Sequence, residues 1–181
     1  MSRYAFLREL GRGLAPVYVG QQQPEPYSPG AHIVTAAQGT LDAADRLAVR
    51  AGFSLGSVLY PDIETDGPIS SELKQYYLAW VQGVVSGGFS PGVYCSYRLA
   101  AQFSQLDRRP RFWVFRVAKG PTHPATVYPH PYPTVDPMAS AVPFASLWQH
   151  VQGADLSFAG GQLLRTVDLD SCSLRDPAQL G

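Results

Sequence analysis

Asp62 and Glu64 stand two residues apart at the end of the apolar run Val58-Leu59-Tyr60-Pro61-Asp62-Ile63-Glu64. On an extended strand alternate residues share a face, with α-carbons about 6.6 Å apart over each two-residue step. Two carboxyls crowded on one face disfavour double ionisation, so one of them keeps its proton toward neutral pH. That is the equipment of a general acid. The plainer reading is a strand that runs into an acidic turn, continued by Asp66 and Gly67. Asp168 and Asp170, in Thr166-Val167-Asp168-Leu169-Asp170, form a second same-face pair, although Asp170 also suits a capping or turn role. Trp148 and Gln149 lie in Leu147-Trp148-Gln149-His150. A strand-borne Trp ordinarily packs in a core, but at the mouth of a barrel it makes a platform for a sugar ring.

Other signals fail on context. Gly52-Phe53-Ser54-Leu55-Gly56 and Gly88-Phe89-Ser90-Pro91-Gly92 both fit the nucleophile-elbow pattern. That elbow joins a strand to a helix, whereas both matches lead from a helical pattern into a strand. Pro91 also lacks the N–H that an oxyanion hole would use. His32, His123, His130 and His150 show no ligand spacing, and Cys95 and Cys172 are too few for a disulfide scaffold. No metal site and no cofactor are expected. A weaker alternative makes Asp62, Glu64, Asp168 and His150 oxygen and nitrogen ligands of a hydrolytic metal.

The elements that must position these residues show as a weak repeat. Gly13-Leu14-Ala15-Pro16-Val17-Tyr18 is echoed from Gly52 to Tyr60 and again from Gly88 to Tyr94, at spacings of 39 and 36 residues. That is about the size of one strand-plus-helix unit. Leu41, Ala44, Leu47, Ala48 and Ala51 precede the second echo at helical steps. Leu73, Tyr76, Tyr77, Trp80, Val81 and Val84 do the same before the third. Apolar runs at Ala15–Val19, Ser57–Ile63, Gly92–Ser96, Phe112–Val117, Ala145–Val151 and Leu163–Leu169 read as strands buried on both faces. Such strands alternating with helices predict an α/β fold with a parallel sheet. No glycine-rich phosphate loop follows a strand, which favours a TIM-barrel-like (β/α) arrangement. About six strands stand where a closed barrel has eight, so the barrel is expected to be incomplete, with the first two β/α units missing. The first and last strands would then flank a gap. A loop, a second copy of the chain or a missing N-terminal segment is expected to cover it, and an uncovered gap predicts self-association. Two long loops are predicted, Gln21–Gln38 and Lys119–Pro143. The second carries seven prolines and is read as a rim excursion within a single domain spanning residues 1–181.

Composition narrows the partners. The 181 residues are 45% hydrophobic and 15% charged, a globular balance. Fourteen basic residues meet fourteen acidic ones, so no basic field exists to hold nucleic acid. No apolar run is long enough to span a membrane. The opening MSRYAFLREL has no apolar signal-peptide core.

The segments Pro16-Val17-Tyr18-Val19-Gly20-Gln21-Gln22, Gly56 to Glu64 and Gly92-Val93-Tyr94-Cys95-Ser96 resemble a glycoside-hydrolase-like "domain of unknown function" family found in actinobacterial secreted proteins. More distantly, the Asp-x-Glu strand, Leu147-Trp148-Gln149 and Val167-Asp168-Leu169 resemble family 25 lysozymes, which cleave cell-wall glycan. The resemblance implies a peptidoglycan-like substrate and a secreted or cell-envelope location. By it, Glu64 is the general acid, Asp62 orients the substrate's acetamido group or stabilises positive charge, and Asp168 lines the pocket. Trp148, Gln149, Tyr18 and Tyr94 are expected to bind the substrate. A first-strand aspartate of these families has no counterpart, since no aspartate precedes Asp42. The alternative is therefore a non-catalytic carbohydrate-binding domain that retains the pocket.

Overall fold

The longest of the described helices shows how the sheet is backed. In a computed structural model, which describes residues 3–19, 46–65, 67–117, 127–129, 131–158, 162–174 and 176–179, it spans Ser71–Ser86. The Ser70 hydroxyl accepts a hydrogen bond from the Leu73 amide at 3.2 Å and so satisfies one of the free donors at its start. The six apolar residues predicted for its inner face are all buried. In chain order the helices are α1 (Arg3–Glu9), a single turn α2 (Val49–Ala51), α3 (Ser71–Ser86) and α4 (Tyr97–Leu106). Gly52 closes α2 at φ 96°, a left-handed conformation that costs other residues energy.

The strands are β1 (Val17–Tyr18), β2 (Val58–Ile63), β3 (Ser90–Ser96), β4 (Arg111–Phe115), β5 (Val127–Pro129), β6 (Ala145–Ser157) and β7 (Leu163–Cys172). β1, β2, β3, β4 and β6 pair in that order, all parallel. This is an α/β fold with a mostly parallel sheet, consistent with a TIM-barrel-like arrangement. The last strand departs from expectation. β7 runs antiparallel to β6 along its length, because the short link from Ser157 to Leu163 leaves no room for a crossover helix. The upper halves of β6 and β7 rise past the other strand ends, and β5 joins them from within the proline-rich loop. Ala154, Leu156 and Leu169 form a small core there, flanked by Tyr128 and Tyr132. The predicted Gln21–Gln38 loop lies outside the described residues.

Two layers of side chains follow from strand alternation. Leu59, Ile63, Val93, Cys95, Phe112 and Val114 face α3 and α4 in the larger core. Val58, Tyr60 and Leu147 face the other way and meet Tyr94, Trp113 and Cys172. β2 and β7 are far apart in the ladder, yet Tyr60 and Cys172 share this cluster, so the sheet curls around it. Among the described residues no ladder joins β1 to β7. The Asp176–Gln179 turn crosses the base of the curl instead. Ala178 O accepts from Val58 N at 2.9 Å, and Pro177 O accepts from the Tyr60 hydroxyl at 3.0 Å.

Gly92 is required where β3 passes Tyr60. A Cβ at this position would lie 2.5 Å from Tyr60 Cδ1. The Tyr60 ring is fully buried and stands edge-on to Trp113, with centroids 5.6 Å apart, so it has nowhere to go. Gly92→Ala is therefore expected to cost about 1–3 kcal/mol of stability through overpacking. Urea denaturation checks this; an unchanged midpoint would show that the inner layer yields freely.

Candidate active site

The inner cluster ends in polar groups at the C-terminal ends of the parallel strands. Two-residue steps lead from Tyr60 to Asp62 and Glu64, from Gly92 to Tyr94, and from Leu147 to Gln149. On β7 they lead from Cys172 back to Asp170 and Asp168. Cross-strand register aligns them, with Asp62 beside Tyr94, Tyr94 beside Trp113, and Gln149 beside Asp170. Five of the predicted residues thus come together: Asp62, Glu64, Tyr94, Gln149 and Asp168.

A chain of hydrogen bonds ties the floor of this mouth. The Tyr94 hydroxyl donates to Gln149 Oε1, and Gln149 Nε2 donates to Asp168 Oδ2 at 2.8 Å. Asp168 Oδ1 accepts from the Gly153 amide at 2.9 Å, where β6 shifts register and Gly153 adopts φ 67°. Asp168 therefore holds both the bulge and Gln149. Asp170 accepts from Trp113 Nε1 at 2.7 Å.

Asp62 is buried, whereas Glu64 stands at the rim. Lost hydration raises the Glu64 carboxyl above its usual range, and the charge of Asp62, a hydrogen bond to Asp62 and the charge of Asp168 raise it further. The Tyr94 phenol is held well above its usual value by burial and by all four carboxylates, so it acts as a neutral donor. Asp170 keeps an open edge, but surrounding protein strips enough water to push it from 3.8 up to about 6, against the lowering effect of the Trp113 bond. A carboxyl raised by folding binds its proton more tightly folded than unfolded, so its ionisation opposes stability. Between about pH 6 and its ordinary 3.8, acidification should therefore stabilise the wild type relative to Asp170→Asn. Paired melting curves check this; parallel pH profiles for the two proteins would refute the shift.

Two expected substrate contacts fall elsewhere. Trp148 occupies the opposite face of β6 from Gln149, packs on the helix-side core, and donates Nε1 to Arg116 O at 3.0 Å. Tyr18 also faces the helices and stacks on Trp80, with centroids 5.4 Å apart. His150 shares the Trp148 face, where its Nε2 lies 3.2 Å from Ser171 Oγ, so it does not join the carboxylates as a ligand. Among the described residues no group of three His, Cys, Asp or Glu is arranged to hold a metal. Trp113 belongs to the site and was missed. Its position between Arg111 and Phe115 on the inward alternation of β4 was the available signal.

Residues 4–158 match the sequence profile of the Rv2525c-like, glycoside hydrolase-like domain. The chain belongs to that family. A crystal structure of an uncharacterized B. stearothermophilus protein is similar to this Rv2525c-like domain, with a TM-score of 0.60 at 18% identity. The match covers 97% of this chain and 78% of that one. That likeness concerns the fold. No curated protein sequence matches significantly. Among the described residues of this family member, no helix is long and apolar enough to cross a membrane.

Proposed function

We propose that the chain is a lysozyme-like glycoside hydrolase acting on a cell-wall glycan outside the cytoplasm. One observation carries the reading: a rim carboxyl, Glu64, stands beside the buried Asp62 at the C-terminal strand ends, where barrel enzymes keep their chemistry, and is raised by lost hydration first and by Asp62 second. Glu64 donates its proton to the glycosidic oxygen as the bond to the anomeric carbon breaks. The substrate's own acetamido oxygen closes on that carbon, a known exception to the two-carboxylate scheme, and water then opens the ring so formed. Asp62 orients the acetamido group and offsets the developing positive charge. Asp168 acts through Gln149, which it holds against Tyr94. Release of reducing ends from purified peptidoglycan tests the reading.

A second reading keeps the pocket and drops the chemistry. It is favoured by the engagement of both Asp168 oxygens with protein donors and of Asp170 with Trp113, which commits two of the four carboxylates to structure. It predicts saturable retention on insoluble peptidoglycan with no reducing ends released.

A further inference from the structure

The N-terminal ends of the strands, opposite the carboxylate mouth, line an open cavity of about 450 Å³. Ser90, Ser104, Ser146, Arg108, Arg111 and Phe144 contribute to its wall, drawn from β3, α4, β4, β6 and their connections. Neighbouring Arg109 is neutralised by a two-pronged pairing with Asp107. Arg108 and Arg111 have no carboxylate partner among the described residues; Arg111 donates to the carbonyl of Gln179 at 2.6 Å and hydrogen-bonds the Tyr60 side chain. The hydroxyls of Ser90, Ser104 and Ser146 make no hydrogen bond among the described residues. In a chain whose formal net charge is +0, two guanidiniums without a carboxylate partner and three hydroxyls thus belong to the wall of one hollow.

We propose that this cavity binds a phosphate group carried on a small organic body. Donors arriving from several elements suit a tetrahedral oxyanion, whose oxygens point in several directions, better than a planar carboxylate. The hollow falls within the usual range of small-molecule sites, about 300–1,000 Å³, and exceeds what a lone ion fills. Phe144 supplies the apolar wall. It is 44% exposed and is propped edge-on against Phe112 at 5.0 Å, which leaves a ring face for the organic part. The site is independent of the hydrolase reading, because it lies at the other end of the strands.

Calorimetry on the full chain tests it, with glucose 6-phosphate, inorganic phosphate and glucose as probes. Glucose 6-phosphate should bind more tightly than inorganic phosphate, glucose should not bind, and added salt should weaken both phosphate interactions. Arg108→Gln, at a solvent-exposed position, should weaken glucose 6-phosphate about tenfold with an unchanged melting temperature. Ser104→Ala should weaken it less. Capture by phosphatidylglycerol vesicles, competed by glucose 6-phosphate, would assign the same phosphate chemistry to a lipid headgroup. No heat from either phosphate at about 10 mM, or equal affinity in Arg108→Gln and wild type, would overturn the proposal.

Discussion

Glu64→Gln should lower the rate of peptidoglycan cleavage by about a hundredfold or more, the usual worth of a general acid. Glutamine keeps the shape of the carboxylic acid but has no acidic proton to give the leaving oxygen. The wild-type rate should fall as pH rises through the raised pKa of Glu64, since only the protonated form works. Asp62→Asn removes a charge that contributes to this raising and should move the alkaline limb to lower pH. A merely structural Asp62 would leave the limb in place. Equal rates for Glu64→Gln and wild type would remove Glu64 from the mechanism, and no turnover in either protein would favour the binding reading.

Much of the site was legible because strand alternation is strict. The two-residue step that pairs Asp62 with Glu64 also brings Tyr94, Gln149 and Asp168 to the same mouth once the parallel register is set. The same rule already separated Gln149 from Trp148, because neighbours on a strand face opposite ways. Trp148 has the residue type of a sugar platform but the strand position of a helix-facing side chain, and Tyr18 likewise faces the helices. The antiparallel β7 was not legible. Strands read at Ala145–Val151 and Leu163–Leu169 leave nearly the dozen or so residues that a parallel crossover takes, and only the continuation of β6 to Ser157 shortens the link. Helix α4 was also hard to read, since it starts directly from β3 with no turn residue between them. Ser96, the last residue of β3, caps it by accepting from the Arg98 amide at 3.4 Å. The closing of the base by Asp176–Gln179 rests partly on backbone carbonyls, which carry no residue signature, and partly on the Asp176 carboxylate, which pairs with Arg8 and accepts from the Leu14 amide at 3.2 Å.

Trp80→Ala should cost about 3–5 kcal/mol of stability, the range for a large aromatic removed from a core that cannot collapse. Trp80 is fully buried between α3 and the sheet, and its ring stacks on Tyr18 with an interplanar angle of 19°. The substitution therefore opens a cavity and frees the side chain that anchors the two-residue strand β1 to the helix layer. Little hydrogen bonding is lost, because the buried Nε1 has no partner among the described residues. That separates packing from polarity as the cause. Trp80→Phe keeps an aromatic face toward Tyr18 and removes an unsatisfied N–H, whose burial disfavours the native state. Its cost should be the smaller of the two, limited to the volume that the phenyl ring leaves empty. Chemical denaturation of the three proteins gives the comparison. A phenylalanine variant as unstable as the alanine one would mean that the indole N–H has a partner and that packing against Tyr18 contributes little. An alanine variant within about 1 kcal/mol of wild type would mean that the helix layer collapses into the gap.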